Sequence, residues 1–265
     1  MNTIKNQQIL KIMLASALFV LLYTELSNLA KSEEVYANAI SSDMEKFIKF
    51  RAVDSGMPYD SVKKTIKKDQ LPLLYQLMAN PGYAPYWNNI ARIIGYISDD
   101  PNSINVLLIY FQRDDISNVD SIAGKVGSIA WIGKIGGEKA DSILKKAITK
   151  EGARELAKLW IDKEEWKKGR DKRDKDQVIS YIQGAAISGL VFSGKKENWD
   201  IVDKLYNEQK VISLQGQNTD IMSPLTDAMA IKAFIMDHNN DVESYFRLDI
   251  VLTGLRPYLE KYTLR

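Results

Sequence analysis

The sequence predicts an all-α fold, a solenoid of about four stacked helical hairpins. Three observations support this prediction. Apolar residues recur at helical spacing from Leu71 onward, short runs rich in glycine, asparagine, aspartate and proline interrupt them, and the two-helix pattern repeats along the chain. The clearest copy is Gly127–Ile148, in which Gly136 and Gly137 separate two apolar stripes, because glycine tolerates the left-handed backbone that a helix end requires.

The N-terminus has the features of an export signal. Lys5 and Lys11 precede an uncharged, mostly apolar run of 12 residues at 12–23, which is typical of a secretory h-region and short for a bilayer-spanning helix of about 20 residues. Small residues allow cleavage after Ala37 or Ala39. We therefore expect a signal peptide at 1–37, with an uncleaved membrane anchor as the alternative. Either way, the chain is expected to be exported, to the periplasm or beyond the cell.

Residues 38–70 are expected to form a helical N-terminal cap. Met44, Phe47 and Ile48 have helical spacing, and the run from Ser55 to Pro58 ends that helix. A basic segment at 59–68 follows, and its lysines are Lys63, Lys64, Lys67 and Lys68. We interpret these lysines as a solvated helix face, with contact to an acidic surface as the alternative.

Residues 71–265 contain the repeated hairpins. Pro72 begins a helix in its first turn, and Pro85 precedes the first hairpin, with apolar residues at 90, 93, 94 and 97. The other copies are Gly127–Ile148, Gln177–Tyr206 and Pro224–Phe246. Aligning the copies on Gly95, Gly133, Gly189 and Ala233 gives spacings of 38, 56 and 44 residues.

These segments resemble HEAT repeats, especially the short bacterial repeats that are also named after phycobilisome lyases. The residues that carry the resemblance are IARIIGYISDDPNSINVLLIYF, IAWIGKIGGEKADSILKKAI, AISGLVFSGKKENWDIVDKLY and AIKAFIMDHNNDVESYFRLDI. HEAT and armadillo units span about 40–47 residues, and the fixed period of 34 residues in tetratricopeptide repeats is not met. The resemblance implies an α-solenoid, and most proteins of this kind are scaffolds.

The long spacing of 56 residues contains a charged insertion at 162–176, where 13 of 15 residues are charged, 7 positive and 6 negative. Such a segment cannot enter a core. We expect an exposed loop or the solvated end of a helix. It is interpreted either as a protruding binding loop or as a passive linker.

Composition and motifs exclude several kinds of chemistry. There is no cysteine, and 36 lysines and arginines against 34 acidic residues give no excess positive charge for binding nucleic acid. The only histidine, His238, lies in a polar turn, which excludes histidine metal clusters. The calcium-loop pattern that starts at Asp237 fails because Val242 replaces the required glycine. We expect no cofactor, no metal and no catalytic residue.

A non-enzymatic scaffold of the bacterial envelope or periplasm, with a protein or peptide partner, is therefore the leading hypothesis. The aromatic residues predicted to contact that partner are Tyr83, Tyr86, Trp87, Trp160 and Trp166. One alternative is a lyase-like HEAT enzyme that uses carboxylates at the inter-helix turns, at Asp99, Asp100, Glu138 and Asp141. Another is a structural envelope component or oligomer subunit. A pocket with converging acids would favour the enzyme, and a broad aromatic groove would favour the scaffold.

Overall fold

The computed structural model describes residues 40–50, 57–113, 119–163, 174–215, 221–246 and 251–263, and in these ranges the chain is helical without any strand. The prediction of an all-α fold is therefore confirmed. The chain divides into two compact units, residues 1–45 and 46–265. In the first unit only 40–45 are described, and there the Ser41 hydroxyl accepts a bond from the Met44 amide at 3.2 Å, as a helix N-cap does. The predicted leader at 1–37 lies outside the described residues.

The described part of the chain contains thirteen α-helices. In chain order they are α1 (Ser42–Ile48), α2 (Tyr59–Thr65), α3 (Leu71–Ala79), α4 (Trp87–Ile97), α5 (Asn102–Gln112), α6 (Val119–Ile135), α7 (Glu138–Ala147), α8 (Lys150–Ile161), α9 (Lys175–Phe192), α10 (Lys196–Leu214), α11 (Met222–Asp237), α12 (Val242–Phe246) and α13 (Val251–Tyr262). Two short 3₁₀ segments, Lys68–Gln70 and Pro81–Tyr86, precede α3 and α4.

The four predicted hairpins correspond to α4–α5, α6–α7, α9–α10 and α11–α12. Three of the four turns use residues with positive φ where the chain must reverse. Gly136 and Gly137 have φ of 78° and 90°, Gly194 has 67°, and Asn239 and Asn240 have 59° and 60°. Glycine and asparagine adopt this conformation at lower energetic cost than other residues do. The Gly-Gly turn predicted from the sequence is thus confirmed.

An additional helix, α8, occupies the long interval between the second and third hairpins. The Thr149 hydroxyl caps it by accepting a bond from the Gly152 amide at 3.0 Å, and Ala153, Ala157 and Trp160 are buried. The charged insertion overlaps the first turn of α9, where Asp174 and Gln177 form a capping box. The rest of that segment, residues 164–173, lies outside the described residues. The long spacing therefore contains a packed helix as well as a charged segment.

The first helices of the four hairpins pack in succession, α4 on α6, α6 on α9 and α9 on α11. The glycines at the aligned positions make these contacts close. A Cβ atom on Gly133 would lie 1.9 Å from the carbonyl oxygen of Gly189, and a Cβ on Gly95 would lie 2.4 Å from the Cβ of Trp131. At these two positions the neighbouring helices are therefore too close together for any residue larger than glycine.

Six rings form an aromatic cluster that joins the N-terminal and C-terminal parts of the larger unit. Its members are Tyr59, Tyr96, Trp131, Phe192, Tyr245 and Phe246. Phe246 has its ring centroid 5.0 Å from that of Trp131 and 5.7 Å from that of Tyr59. Tyr59 lies on α2 and Phe246 on α12. The two rings contact each other, so an early and a late helix of this unit are in contact beside α4 and α6.

Buried polar networks join two of the turns to the preceding hairpin or helix. At the α4–α5 turn, the Ser98 hydroxyl bonds that of Ser103 at 2.6 Å, and Tyr75 of α3 reaches Ser103 at 2.5 Å. At the α9–α10 turn, Asn198 donates to the Ser193 hydroxyl at 2.9 Å and to the Asp141 carboxylate of α7 at 2.8 Å. The two turns share a pattern. A serine bonds the buried side chain five positions later, Ser98 with Ser103 and Ser193 with Asn198. That buried side chain also bonds a polar side chain of an earlier helix, Tyr75 or Asp141.

The Asn198 network is expected to contribute measurably to stability. Burial alone would raise the pKa of Asp141, but the bonds from Lys195 and Asn198 outweigh burial and hold it below the usual value. Because Asn198 is fully buried, Asn198→Ala removes one donor each from Asp141 and from the Ser193 hydroxyl, which keep their bonds from Lys195, and should lower the free energy of unfolding by about 1–2 kcal/mol. Urea denaturation measures this change. Asn105→Ala removes an exposed amide and should change stability by less than about 0.5 kcal/mol; equal losses in the two variants would contradict the network's role.

Candidate functional site

A cleft of about 450 Å³ lies between α2, the ends of α4 and α6, and α12. We call it the lysine cleft. It is lined by Lys63, Ile66, Lys67, Lys68, Tyr96, Ile97, Ser98, Asp99, Lys134 and Glu243. This volume falls within the range of about 300–1,000 Å³ that is usual for ligand pockets.

The basic segment at 59–68 supplies three of these lysines. Val62 and Ile66 are buried, and the residues between and beside them face outward, so Lys63 and Lys67 are exposed at the cleft. Ile66 has an extended backbone with φ −103° and ψ 120°, which ends α2 and places Lys68 at the start of a 3₁₀ segment. One apolar pair and one helix end therefore bring the three ammonium groups to the cleft.

Two of the lysines are paired with carboxylates across the cleft. Lys63 Nζ lies 2.5 Å from Glu243 Oε2, and Lys68 Nζ lies 2.5 Å from Asp99 Oδ2. The hydrogen bond from Lys68 lowers the pKa of Asp99. The Lys63–Glu243 pair joins α2 to α12 beside the aromatic cluster.

Lys134, the last basic residue of α6, has a different environment. Its Nζ donates to the carbonyl oxygen of Tyr96 at 2.7 Å and lies 5.1 Å from the centroid of the Tyr96 ring. Burial lowers the pKa of Lys134, and the positive charges of Lys63 and Lys68 add to this effect, while Glu243 and Asp99 oppose it. Its ammonium group is therefore partly withdrawn from water in a region that already holds other positive charges.

Lys67 resembles Lys134 in its bonding, since its Nζ donates to the carbonyl oxygen of Lys63 at 3.2 Å. Among the residues that the structure describes, neither Lys67 nor Lys134 forms an ion pair with a carboxylate. The cleft thus contains two ammonium groups that are bonded only to backbone oxygens. This arrangement can attract a negatively charged group.

The aromatic residues predicted to contact a partner are dispersed. Tyr83 and Tyr86 are half-buried, with ring centroids 6.4 Å apart. Trp87 is 5% exposed, donates its Nε1 hydrogen to the Leu77 carbonyl at 3.1 Å and lies under the guanidinium of Arg113 at 3.7 Å. Trp160 is 1% exposed and packs against Phe111 with centroids 5.7 Å apart. Trp87 and Trp160 are therefore interior residues whose side chains a partner cannot reach, and Trp166 lies outside the described residues.

The carboxylates of the enzyme hypothesis lie at two places, Asp99 and Asp100 in the α4–α5 turn and Glu138 and Asp141 in the first turn of α7. Asp99 pairs with Lys68, Asp100 accepts from the Tyr75 hydroxyl at 3.1 Å, and Asp141 pairs with Lys195 at 2.5 Å. Glu138 is exposed in the first turn of α7. Asp99, Asp100 and Asp141 thus bond side chains that stabilise turns. Within the described ranges, no group of three or more histidine, aspartate or glutamate side chains is arranged to hold a metal ion.

His238 lies on the surface, as the sequence predicts for a residue in a polar turn. Its ring stacks on Phe234 with centroids 4.0 Å apart, and Nδ1 lies 2.8 Å from the Phe234 carbonyl oxygen. It lines a second cleft of about 680 Å³ between α11 and α13, together with Tyr258 and Tyr262. These contacts fix the imidazole against the end of α11.

Sequence reasoning identified the lysines of 59–68 but interpreted them as a solvated face, and it did not single out Lys134. A signal for Lys134 was present in the repeat alignment. Lys134 follows Gly133, and Tyr96 follows the aligned Gly95. The helices that carry these two residues pack against each other, so the alignment on the glycines contained the information that the lysine lies beside the tyrosine.

We expect the protein to lose stability at alkaline pH, because two tyrosines of the aromatic cluster are buried. Burial, with a smaller effect of the Asp227 carboxylate, raises the pKa of Tyr245 to about 12, and burial also raises the pKa of Tyr59. Tyrosines in the unfolded chain ionise near pH 10. The stabilisation is therefore complete below about pH 10 and is lost as the pH rises through about 12. Urea midpoints between pH 8 and 12 should fall steeply.

The control for this measurement is a variant with both phenols removed. In Tyr59→Phe/Tyr245→Phe, the pH dependence should become shallower, whereas Tyr181→Phe, at a tyrosine that is 46% exposed, should keep the wild-type slope. Absorbance of phenolate at 295 nm reports the ionisation directly. A wild-type slope in the double variant would show that other groups control the alkaline transition.

In comparisons with known proteins, no family model, no curated protein and no solved structure matches the chain. Among the described residues, none of the helices combines the length and the apolar character needed to cross a bilayer.

Proposed function

We propose that the larger unit is an α-solenoid of HEAT-like hairpins. The succession of α4, α6, α9 and α11 supports this proposal, as does the close approach of Gly133 to Gly189 at aligned repeat positions. The similar serine networks at the α4–α5 and α9–α10 turns are a further sign of repetition. In an array of this kind, each unit buries its apolar faces against its neighbours.

We further propose that the chain is a non-enzymatic binding scaffold for a protein or peptide partner, exported by the leader expected at 1–37. The lysine cleft is the observation that carries this proposal, since it combines a preformed concave surface with two ammonium groups that, among the described residues, hydrogen-bond only backbone oxygens. The turn carboxylates Asp100 and Asp141 support a scaffold over an enzyme, because each bonds side chains that hold the fold, Tyr75 for Asp100 and Asn198 with Lys195 for Asp141. A general acid or base needs access to a substrate instead.

Cross-linking of the intact protein in its own cells tests this proposal. A lysine-reactive cross-linker applied to the native complex, followed by mass spectrometry, would identify the partner, the mature N-terminus and the lysines in contact. We expect one stoichiometric partner whose cross-links concentrate on Lys63, Lys67, Lys68 and Lys134. Recovery of the chain alone, under conditions that preserve weak complexes, would contradict a scaffold function.

A further inference from the structure

We propose that the lysine cleft recognises an acidic peptide segment, with carboxylate side chains placed next to an apolar or aromatic side chain. This inference rests on the proposed scaffold function and specifies the chemistry of the partner. It follows from the charge balance of the cleft, from the hydrocarbon beside its ammonium groups and from the absence of arginine among the described residues that line it.

The charge balance of the cleft favours a negatively charged ligand. Lys63, Lys67, Lys68 and Lys134 line the cleft, whereas its only described acids are Asp99 and Glu243, each already paired with a lysine. Two ammonium groups therefore remain without a counter-charge among the described lining residues. A segment with two carboxylates would neutralise them, and complementary charge raises both the rate and the specificity of association.

The floor of the cleft is apolar. Ile66, Tyr96 and Ile97 line it and are 1%, 2% and 7% exposed, so hydrocarbon and a ring face lie beneath the ammonium groups. The exposed hydrocarbon at the cleft includes the stems of Lys63, Lys67 and Lys68, which lie beside this buried floor. An apolar side chain beside a carboxylate would pack against these stems while its neighbour reaches the ammonium groups, as amphipathic anchors at interfaces do.

The lining side chains favour carboxylates over phosphate. α4 ends at Ile97 and α6 at Ile135, beside the cleft. Helix C-termini carry a partial negative charge, which weakens the attraction of the cleft for any anion and does not distinguish the two groups. No arginine lines the cleft among the residues described, and arginine is the side chain best suited to bind phosphate through two hydrogen bonds.

Fluorescence anisotropy with a defined probe tests the inference directly. The probe is a labelled hexapeptide of alternating glutamate and phenylalanine, and the control probe carries glutamine in place of glutamate. We expect the purified protein to bind the acidic peptide about tenfold or more tightly than the control. Raising sodium chloride from 50 to 300 mM should weaken binding, because salt screens exposed charges.

Single-lysine variants assign the binding to the cleft. Lys134→Gln and Lys67→Gln should each weaken binding about threefold, which is the usual range for one exposed charge pair. Lys64→Gln is the matched control, since Lys64 lies in the same basic segment as Lys67 but does not line the cleft, and it should change affinity by less than about 1.5-fold. Lys67 is exposed, so its variant keeps the test valid if Lys134→Gln is unstable.

Three outcomes would overturn the inference: equal affinity for the two peptides, an equal loss in Lys64→Gln and Lys67→Gln, or displacement of the peptide by inorganic phosphate at a similar concentration.

These outcomes are separate from the cross-linking test. If cross-linking still recovers a partner, the scaffold function stands and only the acidic chemistry is rejected. If the peptide binds as expected but no partner is recovered, the acid specificity of the cleft stands and the scaffold function is rejected.

Discussion

Replacing Phe246 by alanine is expected to lower the free energy of unfolding by about 3–5 kcal/mol, the usual cost of removing a buried phenylalanine ring. Phe246 is 8% exposed, and its ring contacts those of Tyr59, Tyr96, Trp131, Phe192 and Tyr245. The variant should therefore lose the ring that connects α2 and α12. Urea denaturation followed by far-UV circular dichroism gives the change in stability, and hydrogen exchange should show faster opening of α12.

Tyr181→Ala is the comparison for this variant. It also removes an aromatic ring, but from a site that is 46% exposed on α9, and it should change stability by less than about 0.5 kcal/mol. A loss of under about 1 kcal/mol in Phe246→Ala would show that the aromatic cluster does not hold the two ends together.

Gly133→Ala is expected to destabilise the protein by about 2–3 kcal/mol, although alanine is the better helix former. The added Cβ would lie 1.9 Å from the Gly189 carbonyl oxygen, and a backbone atom in a helix cannot move aside as a flexible side chain can. The helices α6 and α9 would have to separate. Gly189→Ala should cost less, because its Cβ would meet the flexible Leu144 side chain at 2.8 Å.

The control for these variants lies on α6 itself. A Cβ on Gly127 would meet nothing within 4 Å, so Gly127→Ala should stabilise the protein by up to about 1 kcal/mol through helix propensity alone. Thermal denaturation of the variants gives the order directly. Equal effects at positions 127 and 133 would contradict a close contact between α6 and α9.

The local parts of the fold could be predicted from the sequence because they depend on nearby residues. The apolar spacing of Ile90, Ile93 and Ile94 predicted a buried helix face, and all three are fully buried. The Gly136-Gly137 pair predicted a turn because few other residues adopt positive φ, and both glycines have positive φ in the structure. Periodicity and turn chemistry are local properties, so one sequence is enough to read them.

The parts that could not be predicted depend on contacts between distant residues. α8 was missed because its buried face consists largely of small residues, Ala153 and Ala157, which give a weak apolar signal beside the charged segment. The lysine cleft combines residues near positions 65, 97, 134 and 243, and no local pattern links them. Trp87 and Trp160 were predicted as surface contacts by residue type, but tertiary packing determines their burial.

The contact between Lys63 and Glu243 spans 180 positions of the chain. In an open array each unit contacts only its neighbours, so units can be added or removed at the ends and unfolding can begin there. Here α2 and α12 contact each other, so part of the packing joins residues that are far apart in the sequence. Folding of this unit should accordingly be slow and cooperative, and deletion of either end should weaken the opposite end as well.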